Sequence, residues 1–183
     1  VLLVVASPIM LITAIAIKIE DNGPVFYKQA RCTKDGKVFD ILKFRSMIVD
    51  AEKNGSIPCR EGDPRITKVG KIIRATRLDE LPQIINILAG QMSIVGPRPA
   101  LWNQYDLIEE RDKYGANDIR PGLTGWAQVN GRDELEIPVK AALDGEYAQK
   151  MGIAMDIKCI FKTVVQIFTH EGVVEGGTGS MKK

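Results

Sequence analysis

No charged residue occurs between Val1 and Ile17, and this run constrains the fold more than any other stretch. Side chains this apolar must be buried in a protein core or in lipid. As a helix the run rises about 25 Å, short of the roughly 30 Å hydrocarbon layer of a bilayer. Ser7-Pro8 lies near its middle, where a proline removes a hydrogen bond and permits a bend. We expect a membrane re-entrant helix over 1–19, bent at Ser7 and Pro8, with Lys18 snorkelling to the head groups. A spanning helix and a buried core helix fit the same run. The chain begins inside the apolar run, so residues upstream are expected. A secretory signal is not, because no small-residue cleavage site precedes a mature domain.

The remainder is long enough for one domain with its own core, since the chain has 183 residues. A net charge of +2 makes the basic clusters local features of a balanced protein. Three cysteines, Cys32, Cys59 and Cys159, have no CxxC or metal-ligand spacing, which fits a reducing compartment. The single histidine, His170, follows an apolar helix and reads as a helix-end cation. Histidine-based catalysis and histidine-rich metal sites are therefore poorly supported.

Chemistry concentrates between Arg65 and Pro99. Leu78-Asp79-Glu80-Leu81-Pro82-Gln83 places two carboxylates side by side, and Leu81, Ile84, Ile85 and Leu88 follow at helical spacing up to Gly90. Pro82 belongs in a first helical turn, which predicts Asp79 as N-cap and Glu80 as the first helical residue. Arg65, Lys68, Lys71, Arg74 and Arg77 lead up to this dyad without an acidic residue among them. Cations beside a capping carboxylate keep it ionised, and an ionised carboxylate can be a nucleophile. Gly96-Pro97-Arg98-Pro99 is a rigid turn presenting one guanidinium, a fork suited to phosphate. Together these residues suggest phosphoryl chemistry assisted by a divalent metal. A plain N-cap and a solvated basic surface explain them equally simply.

Elsewhere, Val25–Tyr27 and Val38–Leu42 read as strands of a small hairpin turning at Asp35-Gly36. Lys43 and Arg45, two apart, would share a face there and are phosphate candidates. Residues 50–64 read as a polar loop. Trp102 to Tyr114 is helix-prone, with Trp102, Tyr105, Leu107 and Ile108 as its apolar contacts. Arg120 and Arg132 flank a compact loop and are further phosphate candidates, while Trp126 inside it is expected in the core. A last helix over about 153–168 carries Ile157, Ile160, Phe161, Val164, Val165 and Phe168 on one face. Packing on the core is the default for that face, and lying on a membrane the runner-up. The glycine-rich tail over 173–183 is expected to be disordered.

The ordered blocks Ser7-Pro8, Gly23–Phe26, Gln29 with Arg31, Lys43–Met47, Leu78–Gln83, Met92-Ser93, Val95–Pro99, Arg120–Gly122 and Thr124–Arg132 resemble the bacterial sugar transferases. The resemblance is to their small monotopic polyprenyl-phosphate glycosyl-1-phosphate transferases, and it runs over nearly the whole chain. It implies transfer of a sugar 1-phosphate from a UDP-sugar to undecaprenyl phosphate, releasing UMP, at the cytoplasmic face of the bacterial inner membrane. It implies Asp79 as nucleophile forming a covalent phosphosugar, Glu80 as a Mg²⁺ ligand, and Arg74 and Arg98 facing phosphate. Pro99–Tyr105 resembles members acting on acetamido-deoxy sugars. Gln91 departs from the acidic residue often found before Met-Ser.

These readings give an α+β, mostly helical chain: a re-entrant membrane helix over 1–19, a catalytic domain over 20–172 with a small β-hairpin and amphipathic interfacial helices, and the tail. No nucleic-acid partner is expected, and a homo-oligomer or a polysaccharide assembly complex is compatible. Two other classes stay open: a nucleotide-sugar glycosyltransferase, although no Asp-x-Asp motif is present, and a non-catalytic membrane-bound polyanion binder or scaffold.

Overall fold

The computed structural model describes residues 2–51, 63–131 and 134–169. Its elements are α1 (Leu2–Asp21), β1 (Phe26–Cys32), β2 (Val38–Phe44), α2 (Lys68–Ala75), α3 (Gln83–Leu88), β3 (Ser93–Val95), α4 (Tyr105–Asp112), β4 (Gly122–Thr124), α5 (Ile137–Lys150) and α6 (Ile153–Thr169). The chain is mostly helical with a small hairpin, as expected. Cys59, Arg132, His170 and the tail over 173–183 lie outside the described residues.

Helix α1 runs unbroken through Pro8 and is long and apolar enough to cross a membrane. Only one stripe of it packs on protein: Met10, Ala14 and Ile17, spaced by one turn, meet Phe44, Ile73, Leu78 and Leu81. Large apolar side chains on the rest of its surface, among them Val4, Val5, Leu11, Ile12, Ile15 and Ile19, face outward. The C-terminal end is tied down by charge. Glu20 accepts hydrogen bonds from the backbone N–H of Lys68 (2.6 Å) and Val69 (3.0 Å), so its carboxylate sits on the positive end of α2.

Strands β1 and β2 pair antiparallel from Phe26 opposite Phe44 to Cys32 opposite Val38. The turn contains Asp35 and Gly36, both with positive φ. Side-chain alternation then separates two jobs. Phe39 and Ile41 pack against Met92 and Ile87, while Phe44, on the opposite face, packs with Ile17 and Ile73.

A second pair, β3 with β4, is parallel and was not predicted; three-residue strands leave too little alternation to read. It is joined by glycine contacts. A Cβ on Gly122 would overlap the Gly96 nitrogen, and one on Gly125 would overlap the Gly96 carbonyl, so backbones meet where side chains cannot fit. Helix α5 also went unpredicted. Its Gly145, which weakens a helical pattern, is where the ring of Tyr114 presses against the backbone.

Two apolar assignments are corrected. On α6 the side facing the domain is Cys159, fully buried, with Met155 and Thr163 beside it. Ile157, Ile160, Phe161, Val164 and Val165 point away from the protein, with Phe161 68 % exposed. The core default for that face therefore fails, because the small and polar residues fit the tight contact with Trp126 and β4. On α4, Leu107 is buried, but Tyr105 is exposed, as is Trp102 in the turn before the helix. Trp126 is in the core as expected, with Val95, Val129 and Tyr147. Its indole N–H donates to Glu146 (2.8 Å), and Lys158 and Lys162 approach its ring.

Candidate active site

Asp79 does not cap a helix. Leu78–Glu80 form a single 3-10 turn, entered from Arg77 in the left-handed region (φ 55), and α3 begins only at Gln83 after Pro82. Pro82 can open a helix but donates no N–H, so the turn before it closes on itself instead, Leu81 N–H donating to Leu78 O. This tight turn directs both carboxylates of the dyad toward one cationic cluster.

That cluster draws its cations from three places in the chain. Lys43 Nζ lies 3.1 Å from Glu80 Oε1, and the Arg98 guanidinium approaches the same oxygen at 3.4 and 3.5 Å. Arg74, from the last turn of α2, is held by its Nε donating to Ser46 Oγ (2.8 Å). Burial pushes the Asp79 carboxyl up to about 6, with Glu80 adding to the rise and Lys43, Arg74 and Arg98 opposing it. The cations expected to keep Asp79 ionised do act in that direction, but desolvation outweighs them and raises the carboxyl. Burial likewise lowers the Lys43 ammonium, opposed by Glu80. A dyad whose members share counter-ions, with one poised near neutrality, is unusual for a structural cap and common in a catalytic site.

Of the predicted phosphate residues, Lys43, Arg74 and Arg98 come together here. Arg45 does not. Strand β2 ends at Phe44, and the Arg45 guanidinium turns back to bind both Asp21 carboxylate oxygens and the Pro24 carbonyl. It is a clamp between α1 and the hairpin, because an acidic residue at the end of α1 offers it a partner nearer than the site. Arg120 is exposed, with its backbone carbonyl close to Gly96. Ser7 and Pro8 line an open apolar groove of about 710 Å³ with Leu11, Ala14, Phe26 and Phe44.

Residue-by-residue reading missed the scaffold of the Gly96–Pro99 turn. Arg31 Nη1 donates to Pro99 O (3.0 Å), and Arg111 Nη1 donates to Arg98 O (2.9 Å). Arg111 is itself paired with Asp144, both buried. The signal available for Arg31 was its alternation with Gln29, whose side-chain oxygen accepts from it. Nothing local marks Arg111 and Asp144 as partners across 33 residues.

Among the described residues no three His, Cys, Asp or Glu side chains gather into an all-protein metal cage. The dyad nonetheless fits Mg²⁺, which is commonly held by one or two carboxylates and completed by substrate phosphates.

The family model described as bacterial sugar transferase matches residues 1–170. The chain is 40 % identical over 174 residues to the UDP-N-acetylgalactosamine-undecaprenyl-phosphate N-acetylgalactosaminephosphotransferase of Aeromonas hydrophila, covering 91 % of this chain and 40 % of that protein. It is 41 % identical over 178 residues to the UDP-glucose:undecaprenyl-phosphate glucose-1-phosphate transferase of Escherichia coli K12, covering 93 % and 38 %. It is 37 % identical over 172 residues to the uncharacterized sugar transferase EpsL of Bacillus subtilis 168, covering 94 % and 84 %. The chain therefore spans about two fifths of the first two relatives and most of the third. A match over this length, around a carboxylate dyad ringed by cations, leads to one conclusion: the chain belongs to the bacterial sugar transferase family.

Proposed function

We propose that the protein is a phosphoglycosyl transferase moving a sugar 1-phosphate from a UDP-sugar to undecaprenyl phosphate through a covalent Asp79 intermediate. The observation that carries this reading is the Asp79–Glu80 dyad, half-buried at Asp79 and buried at Glu80, under Lys43, Arg74 and Arg98. A carboxylate approaching a diphosphate meets strong repulsion, and fixed cations are what such a transition state requires.

In the first half-reaction an Asp79 oxygen attacks the sugar-proximal phosphorus. The bond to the uridine-bearing phosphate breaks, and UMP departs with the electron pair. In the second, a phosphate oxygen of the lipid attacks the same phosphorus and the Asp79 carboxylate leaves, giving a sugar diphosphate lipid. Arg98 and Arg74 orient the phosphates and balance their charge, while Lys43 balances Glu80. Bound beside Glu80, Mg²⁺ would supply charge neutralisation for the diphosphate. Lys43 and Arg98 already flank that carboxylate, so they hold its orientation for the ion.

The outward apolar faces of α1 and α6 support attachment to the cytoplasmic face of the inner membrane, with α1 inserted and α6 lying in the interface. The groove at Ser7-Pro8 suits the isoprenoid chain, since Phe44, which lines it, follows Lys43 of the site along β2. The sugar class is an acetamido-deoxy sugar; the relatives' names include both N-acetylgalactosamine and glucose.

The test is mass spectrometry of the intact protein with Mg²⁺ and UDP-sugars labelled in the sugar, without lipid. We expect a phosphosugar adduct on the peptide holding Asp79, discharged by undecaprenyl phosphate with transfer of the label to lipid. UMP release only when lipid is present, with no adduct under rapid quench, would replace the covalent route by direct transfer. No release with any donor would overturn the transferase reading.

A further inference from the structure

The turn that carries Arg98 cannot hold its own shape by backbone pairing. Pro97 and Pro99 have no N–H, so Gly96-Pro97-Arg98-Pro99 offers carbonyls in succession and few donors. Three of these carbonyls, those of Pro97, Arg98 and Pro99, are met by donors from three different elements. Gly122 N–H, at the start of β4, donates to Pro97 O (2.8 Å). Arg111 Nη1, from α4, donates to Arg98 O, and Arg31 Nη1, from β1, donates to Pro99 O.

Arg31 is steadied from behind by the Gln29 side-chain oxygen, and Arg111 by a buried carboxylate. Arg111 Nε and Nη2 both donate to Asp144 Oδ2, at 2.8 and 2.5 Å, and the two residues are 3 % and 1 % exposed. A buried ion pair is a poor investment for stability alone, because removing both charges from water offsets most of their attraction. What it supplies is direction: with two donors locked on Asp144, the third can point only at the Arg98 carbonyl.

We propose that Arg111 and Asp144 form a positioning unit for the active site, setting the Arg98 guanidinium over the dyad through the Arg98 backbone carbonyl. The inference rests on the reading that Arg98 faces the transferred phosphate. It makes α4 and α5 part of the catalytic architecture, although neither reaches the dyad. Neither residue touches substrate, so their loss should lower kcat and leave donor KM nearly unchanged.

The experiment is a double-mutant cycle in the full chain, using the UDP-sugar that forms the adduct above. Replacing the pair together, Arg111→Met with Asp144→Leu, avoids leaving one buried charge alone. We expect kcat to fall by roughly tenfold to a hundredfold, with donor KM within about twofold of the parent value. In an Arg98→Ala background the same replacement should cost less than about twofold, because coupled residues are not additive. An equal loss in both backgrounds overturns the proposal and leaves the pair merely structural, and a loss carried by donor KM with kcat unchanged overturns it as well. If Arg98→Ala itself leaves turnover intact, the reading of Arg98 fails and this inference falls with it, whatever the pair does. Should the double replacement fail to fold by circular dichroism, Arg111→Lys takes its place in the same cycle, since lysine keeps the charge but cannot hold three donors in one plane.

Discussion

Asp79 is held where its charge is disfavoured, and this has consequences for rate and stability with opposite signs. A nucleophilic carboxylate must be deprotonated, so single-turnover adduct formation should rise with pH through about 6 and level off above it. For stability the folded state binds the proton more tightly than the unfolded chain, whose carboxyl titrates near 3.8. Between these values folding takes up a proton, and stability declines as pH rises from about 4 to 6. Above that range the ionised carboxylate costs the fold its full penalty. Asp79→Asn removes the charge and breaks no cap, because Asp79 caps nothing. We expect the variant to form no adduct and yet to melt higher than the parent at pH 8 without metal. The gain should vanish below pH 4. A destabilised variant at pH 8 would show that the cations outweigh desolvation after all. This pattern, stability given up for a reactive group, is common at active sites.

At the scale of elements, one short segment distributes four residues among three neighbours. Lys43 goes to the dyad, Phe44 to α1, Arg45 to Asp21 at the end of α1, and Ser46 to Arg74 on α2. The run is therefore a junction as well as a source of ligands. Arg45→Met should lower stability by about 1–3 kcal/mol, the loss expected for hydrogen bonds between charged groups, while donor KM stays near the parent value. Thermal melts and initial rates on one preparation check both parts, and a raised KM with unchanged melting would return Arg45 to the phosphate site. Sequence reading paired Arg45 with Lys43 from strand parity alone. Parity gives the face on which a residue starts, but a long side chain at a strand end turns to the nearest opposite charge. The same limitation explains the dyad: Pro82 correctly marked a helix start nearby, but the geometry before it depended on how Arg77 entered the turn.

Over the whole molecule, apolar surface is concentrated on helices at the two ends of the chain. On α1 and α6 most large apolar side chains face away from the protein. A charge placed on the outer face of α6 should therefore affect membrane attachment far more than folding. Phe161→Lys should reduce co-sedimentation with vesicles of anionic phospholipid several-fold, with a change in stability within about 0.5 kcal/mol, as is usual for exposed positions. Unchanged sedimentation would assign attachment to α1 alone. The sequence by itself determined the features that depend on neighbours along the chain. These are the uncharged helix over the first seventeen residues, the hairpin with its Asp35-Gly36 turn, the amphipathic last helix and the two adjacent carboxylates. Periodicity and turn chemistry act over a few residues, so they are legible there. Only the tertiary structure decided which cations face the dyad, that burial raises the Asp79 carboxyl, that Arg111 meets Asp144 behind Arg98, and that the apolar face of α6 turns outward. Desolvation and charge pairing act through space, and the groups concerned are brought together only when the chain has folded.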